Sequence, residues 1–231
     1  MSNPSLVTLQ LVAGSTNAVA LSQTPLVAGN LTLNGALVTA GVATFDVARR
    51  VAIASAGADS ARVFTLVGTD RYGNAQSETI TNVATPTPVN SVKDYLTVTR
   101  VSVDAGTAGA ITVGTAGVAS SPWVLDNPYV MSWYLSIAVQ IISGAANWTV
   151  EHTYDDPNKG GTTLVASPQG FIVEATSNTP PTLWSLAALR AQAGNVEAQY
   201  ANQPIMAHRL TINSGTGLVV MQSIQADYMR G

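Results

Sequence analysis

Alternation of apolar and polar positions is the dominant pattern along this chain. In "SLVTLQLVAG", Leu6, Thr8 and Gln10 fall on one side and Val7, Leu9 and Leu11 on the other. Side chains of an extended backbone point alternately to opposite faces, so the stretch predicts a half-buried strand. "RRVAIAS", "SARVFTLVGTD", "AQSETITNV", "YLTVTRVSVD" and "AITVGTA" continue the pattern. In the second of these, Val63, Thr65 and Val67 lie opposite Phe64, Leu66 and Gly68. The turns between them are "AGAD", "RYGN" and "AGTAG". Gly73 and Asn74 are the residues that tolerate unusual φ in the second turn. Pro86 and Pro88 cannot donate to a strand ladder, so "ATPTPVNSVKD" is expected as a loop. Asn34-Gly35 has the chemistry of a type I′ turn and predicts a hairpin of Leu31–Leu33 against Ala36–Val38. "YLTVTRVSVD" and "AITVGTA" are expected to pair around "AGTAG".

The run "SSPWVLDNP", Ser120 to Pro128, reads as a linker. Beyond it, "WYLSIAVQIISG" and "NWTVEHTYDD" are strands joined by "SGAAN". A long irregular section follows. "LWSLAALRAQAG" predicts the one helix, about ten residues ending at Gly194 as its C-cap. The chain closes with "IMAHRLTINSG" and "GLVVMQSIQAD", expected as a hairpin around "SGTG". Strands recurring every ten to fifteen residues or so argue for sandwiches or barrels. The expected fold is all-β, with two antiparallel β-sandwich or barrel modules of jelly-roll-like character and at most one short helix. The expected division is 1–45 as an N-terminal arm and first hairpin, 46–121 as a first module with part of 22–45, and 122–231 as a second module.

Composition sharpens this. The 231 residues include only 10% charged positions, against about 25% in ordinary soluble domains. A weakly charged surface is poorly protected from association, which points to life inside an assembly. Net charge is −3, which gives no electrostatic footprint for nucleic acid. There is no cysteine, so neither disulfides nor a thiolate metal site can hold the fold. The N-terminus lacks the basic region of a secretory signal, and no uninterrupted apolar run of about 18 residues suggests a membrane span.

The densest cluster of reactive residues is "EHTYDDPNKGG", Glu151 to Gly161. Alternation puts Trp148, Val150, His152 and Tyr154 on one face and Asn147, Thr149, Glu151, Thr153 and Asp155 on the other. Glu151 and His152 therefore cannot act as a local acid–base pair, and His152 is expected in a packed face. Glu151 and Asp155 share a face but lie about 13 Å apart along the strand. Asp155-Asp156-Pro157-Asn158 has turn chemistry. A calcium site is its functional rival, but no D-x-D-x-D-G loop is present.

The serines admit a Ser-His-Asp hydrolase in principle, yet no G-x-S-x-G elbow occurs. His208, between Met206 and Leu210 on its own face, is expected to be a core residue. No phosphate-binding loop, dinucleotide fingerprint or zinc-protease motif is present. Arg49-Arg50 is expected to form surface ion pairs or an interface contact. Trp123, Trp133, Trp148 and Trp184 all fall in the second half, where they either pack a core or line a sugar-binding or interface surface. No catalytic, cofactor-binding or metal-ligating residue is assigned.

The stretch from "SQTPLVAGNLTLNGALVTAG" through "GTDRYGNAQSETIT" resembles the front of a family of tailed-bacteriophage virion structural proteins. "YLTVTRVSVDAGTAGAITVGTAGVASSPWV" does so too. "VQIISGAANWTVEHTYDDP" and "PIMAHRLTINSGTGLVVMQSIQA" resemble their partner module. The resemblance covers roughly residues 22–226 and is weakest over 159–203. It implies a non-enzymatic capsid or head–tail role in a virion assembled in the bacterial cytoplasm. The specific expectation is a cement or decoration protein binding the major capsid protein as a homo-oligomer, a trimer by analogy. Met1–Ala20 would then be an extended arm. A tail adaptor, nozzle or fibre-base component is the alternative, with tail proteins as its partners. A carbohydrate-binding adhesin using the Trp-rich half is another.

Overall fold

The computed structural model describes residues 3–85, 87–129, 133–157, 162–166, 172–176, 182–201 and 204–227. The fold is all-β, built from antiparallel sheets. The chain divides into two compact units, one made of Leu11–Ser120 and the other of Met1–Gln10 with Ser121–Gly231.

In the unit Leu11–Ser120, one sheet runs in the order Val38–Thr39, Val42–Arg49, Tyr95–Val103, Phe64–Thr69, Ala75–Ile80, with Gly29–Asn30 also on Tyr95–Val103. A second sheet runs Val89–Asn90, Val51–Ser55, Ile111–Thr115, Ser15–Gln23. The alternation seen in the sequence decides what is inside. Phe64, Leu66 and Gly68 are buried, while Thr65, Val67 and Thr69 are half-buried. Phe64 and Leu66 join Val19, Phe45, Val51, Ile53, Tyr95, Val98, Val101, Ile111 and Val113 in one apolar cluster. The "RYGN" hairpin forms as expected, with Phe64–Thr69 paired to Ala75–Ile80 and Gly73 at φ +83°.

Other pairings differ from expectation. The Asn34-Gly35 hairpin is absent. The Leu31 amide bonds the Val101 carbonyl, and the Gly35 and Leu37 amides bond the carbonyls of Val19 and Ala18. The Asn34 side chain accepts from the Leu21 amide. Glycine serves here for close approach, since a Cβ on Gly35 would collide with the Ala18 backbone. Tyr95–Val103 and Ile111–Thr115 do not pair with each other either; they lie in different sheets.

The other unit repeats that lesson. One sheet has the order Asn3–Leu9, Leu218–Asp227, Trp133–Ser143, Val196–Ala201. In a second, Ala207–Gly215 lies between Ala146–Thr153 and Val124–Leu125. The two sheets bury Trp133, Leu135, Ile137, Trp148, Val150, Leu210, Ile212, Val219 and Met221. Thus Trp133–Ser143 and Ala146–Thr153, adjacent in sequence, belong to different sheets. So do Ala207–Gly215 and Leu218–Asp227, which the sequence presents as a hairpin. The two short connections pack together: the Thr216 and Gly217 amides both donate to the Ala145 carbonyl. Gly144 and Gly215 sit at φ +70° and +94°, where a side chain would be strained.

Two expectations are corrected in this unit. Residues 3–9 are not a free arm. They pair along their whole length with Leu218–Asp227, from Asn3 opposite Gln225 to Leu9 opposite Val219. The same alternation that predicts the strand turns Leu9 inward and leaves Leu6 exposed. The helix expected over Leu183–Gly194 is reduced to a single 3-10 turn, Ala187–Leu189. Trp184 and Gln192 instead bridge to His152 and Trp148 as edge partners of Ala146–Thr153. Backbone pairing to that strand overrides the local helix propensity of the Leu- and Ala-rich run.

Candidate functional site

Three strands carry the reactive side chains of the unit that holds both histidines. Ala146–Thr153 and Ala207–Gly215 pair so that His152 stands opposite His208. As alternation requires, Trp148, Val150 and His152 are buried. Tyr154 shares their face but is half exposed; its ring meets His152 edge-on at 5.6 Å. His152 Nδ1 hydrogen-bonds the Tyr200 hydroxyl at 3.0 Å, and the two rings stand edge to face at 5.1 Å. Burial, then the neighbouring His208, holds the His152 imidazole below its ordinary value. Burial also raises the Tyr200 phenol, so it stays protonated.

Glu151 points the other way. It accepts from Arg209 Nε at 2.8 Å and from the Thr211 hydroxyl at 2.9 Å. The Arg209 guanidinium in turn lies 4.6 Å over the Trp123 ring. No acid–base pair of Glu151 with His152 exists.

His208 has a constellation the sequence did not place. Its Nδ1 is 2.8 Å from Asp126 Oδ2, and its Nε2 is 2.9 Å from Ser223 Oγ. Ser223 Oγ continues to Ser5 Oγ at 2.5 Å. The Asp–His–Ser order and the choice of ring nitrogens are those of a hydrolase triad. Asp126 is held in place by its amide on the Met206 carbonyl. The Gln225 amide group clamps the next residue, accepting from Asn127 N at 2.9 Å and donating to Asn127 O at 2.7 Å.

Access argues against turnover. His208 is fully buried and Ser223 is 2% exposed. Ser223 faces inward between Gln222 and Ile224, which face the outer surface of the same sheet. The open depressions on this sheet are lined by the outer residues, including Ser136, Ala138, Glu197, Gln199, Gln222 and Ile224. A nucleophile must touch substrate and face oxyanion donors. Among the described residues, the Ser223 hydroxyl hydrogen-bonds His208 and Ser5. The chain Asp126–His208–Ser223–Ser5 satisfies buried polar atoms across strands, as buried networks must.

Asp155 closes a turn, its amide on Thr153 Oγ1 and its carboxylate accepting from the Thr182 amide. Asn158 to Gly161 lie outside the described residues. Among the described residues, no group of three His, Asp or Glu side chains is placed to hold a metal ion. Arg49 is not the surface residue expected. It is buried, with Nε and a terminal nitrogen on the Ala116 carbonyl and its other terminal nitrogen on Asp46. Of the tryptophans, Trp148 and Trp133 are core, Trp123 lies under Arg209, and Trp184 is 56% exposed. Among the described residues no helix is long and apolar enough to cross a membrane.

No protein-family model, curated protein or solved structure matches this chain.

Proposed function

We propose that the chain is a non-enzymatic structural protein of a bacteriophage particle, a cement or decoration protein that buries interface area across the major capsid protein lattice. One observation carries the reading. Among the described residues, large apolar side chains stand exposed on sheet faces and loop tips. Leu26 and Val27 at the tip of one loop are 87% and 73% exposed. On the outer face of the sheet carrying Leu218–Asp227, Leu6, Ile142 and Ile224 are exposed among Ser136, Gln140, Gln222 and one charged residue, Glu197. Weakly charged, broad surfaces suit contacts on the standard scale of about 800 Å² per partner. A clamp of that kind adds strength where each lattice contact is weak. It works by repetition, as a symmetric oligomer, for which a trimer remains the working expectation.

Copy number is the test. Quantitative mass spectrometry of purified particles should find this chain in hundreds of copies, in fixed ratio to the major capsid protein. A few copies per particle would overturn the cement reading in favour of a tail component. Absence from particles would remove both.

A further inference from the structure

Both histidines of the chain lie in one unit, buried and directly opposite each other on paired strands. Their surroundings are unequal. His208 faces the Asp126 carboxylate. His152 faces the Tyr200 hydroxyl, the edge of Tyr154 and His208 itself. Among the described residues, the titratable groups of the cluster are therefore Tyr154 beyond Ala146–Thr153, Tyr200 from Val196–Ala201, His208 from Ala207–Gly215 and Asp126 from the segment after Val124–Leu125. Leu218–Asp227 and Asn3–Leu9 contribute only hydroxyls, Ser223 and Ser5. Glu151 and Arg209, on the same two strands as the histidines, point to the opposite face and pair with each other.

The cluster thus holds two imidazoles and one carboxylate. His208 has the carboxylate of Asp126 against one ring nitrogen and the Ser223 hydroxyl, continued by Ser5, against the other. Among the described residues no carboxylate is hydrogen-bonded to His152, and an unpaired buried charge is costly. The element with the fewest ties to this cluster is Asn3–Leu9. Both Asn3–Leu9 and Val196–Ala201 are edge strands of their sheet, but Val196–Ala201 is held to His152 by the Tyr200 hydrogen bond and ring contact, whereas Asn3–Leu9 reaches the cluster through the Ser5 hydroxyl at the end of the chain of hydroxyls.

We propose that the imidazole pair is an acid switch that frees the N-terminal strand. When His152 takes up a proton, the seam carrying His208 and Ser223 opens. Asn3–Leu9 then lets go first, while Leu11–Ser120 stays folded. The sign follows from the direction of the His152 shift. The folded state binds this proton less readily than the unfolded one, so the stability is fully present above about pH 6.5. It is lost as pH falls from there toward the lower folded value.

Hydrogen-exchange mass spectrometry of the full chain at pH 7.5 and 5.0, corrected for intrinsic exchange, tests this. At pH 5.0, peptides spanning Asn3–Leu9 should lose protection at least tenfold, followed by those of Ala146–Thr153 and Ala207–Gly215. Peptides of Val42–Arg49 and Tyr95–Val103 should keep theirs. In His152→Gln, whose amide can still meet the Tyr200 hydroxyl without titrating, the pH difference should largely vanish. Unchanged protection of Asn3–Leu9 at pH 5.0 would overturn the proposal, as would equal loss in both units. If the variant is too unstable to interpret, the comparison of the two units in the unmodified protein decides alone.

Discussion

The two units solve one problem in different ways. Each has sheets whose inner faces are covered by alternate residues of its strands. Leu11–Ser120 closes its core with an apolar cluster, and its two fully buried charged residues, Arg49 and Asp59, each tie distant segments together. Arg49 ties Ala116 to Asp46. Asp59 accepts from Ser55 and from the amides of Ala108 and Gly109. The unit containing Ser121–Gly231 instead runs a hydroxyl–imidazole–carboxylate chain through its interior. The first arrangement makes stability depend on packing and on isolated anchors. The second ties it to one buried imidazole, that of His152, which burial and the neighbouring His208 hold below its ordinary value. Two antiparallel β units of one chain therefore need not respond alike to solution conditions.

The largest expected effect that separates them is in the core. Trp148→Ala should cost about 3–5 kcal/mol, because it empties a fully buried site and leaves the Gly194 carbonyl without its indole donor. Denaturant unfolding followed by exchange at peptide level should show loss in the unit containing Trp148 and an unchanged transition for Leu11–Ser120.

Arg49→Met is the counterpart, at about 2–3 kcal/mol, because charge-assisted bonds to the Ala116 carbonyl are removed in a buried setting. Its effect should be confined to Leu11–Ser120; an equal effect on the other unit would break the comparison.

Acid should separate the units again. Burial alone would raise the Asp59 and Asp46 carboxyls. For Asp59, the Ser55 hydroxyl and the Ala108 and Gly109 amides outweigh it; for Asp46, the Val12 amide and Arg49 do. Both end below the ordinary carboxylate value. Their contribution is present above about pH 4 and lost as pH falls through the lowered folded values. Circular dichroism against pH should therefore show Leu11–Ser120 failing only below about pH 4, later than the histidine-bearing unit. Asp59→Asn should flatten that limb.

Ser5→Ala is the mildest, at about 1 kcal/mol or less, since Ser223 keeps His208. Exchange at Asn3–Leu9 should rise while the rest of the sheet stays protected.

Much of the inventory was legible in the sequence. Trp148, Val150 and His152 turn inward on the face expected to pack, while Tyr154 of the same set is exposed; Phe64 and Leu66 share the face alternation gave them, and it is the buried one. The separation of Glu151 from His152 was readable for the same reason. The site around His208 was not. Asp126 stands 82 residues away and Ser223 stands 15 away, on another strand of another sheet. No local spacing encodes that meeting. The only hint was that His208 sits in an apolar strand and needs partners if buried.

What the sequence by itself determined is the all-β character and which residues of a strand share a face. Both follow from a side-chain period of two, which is a property of the extended backbone and needs no neighbour. Only the tertiary structure decided which strand pairs with which. Ser143 to Ala146 and Gly215 to Leu218 look like hairpin turns, yet each leads from one sheet to the other. The first strand finds its partner at the far end of the chain. A short glycine turn permits either route. The choice belongs to the burial of whole sheet faces, which depends on every strand at once.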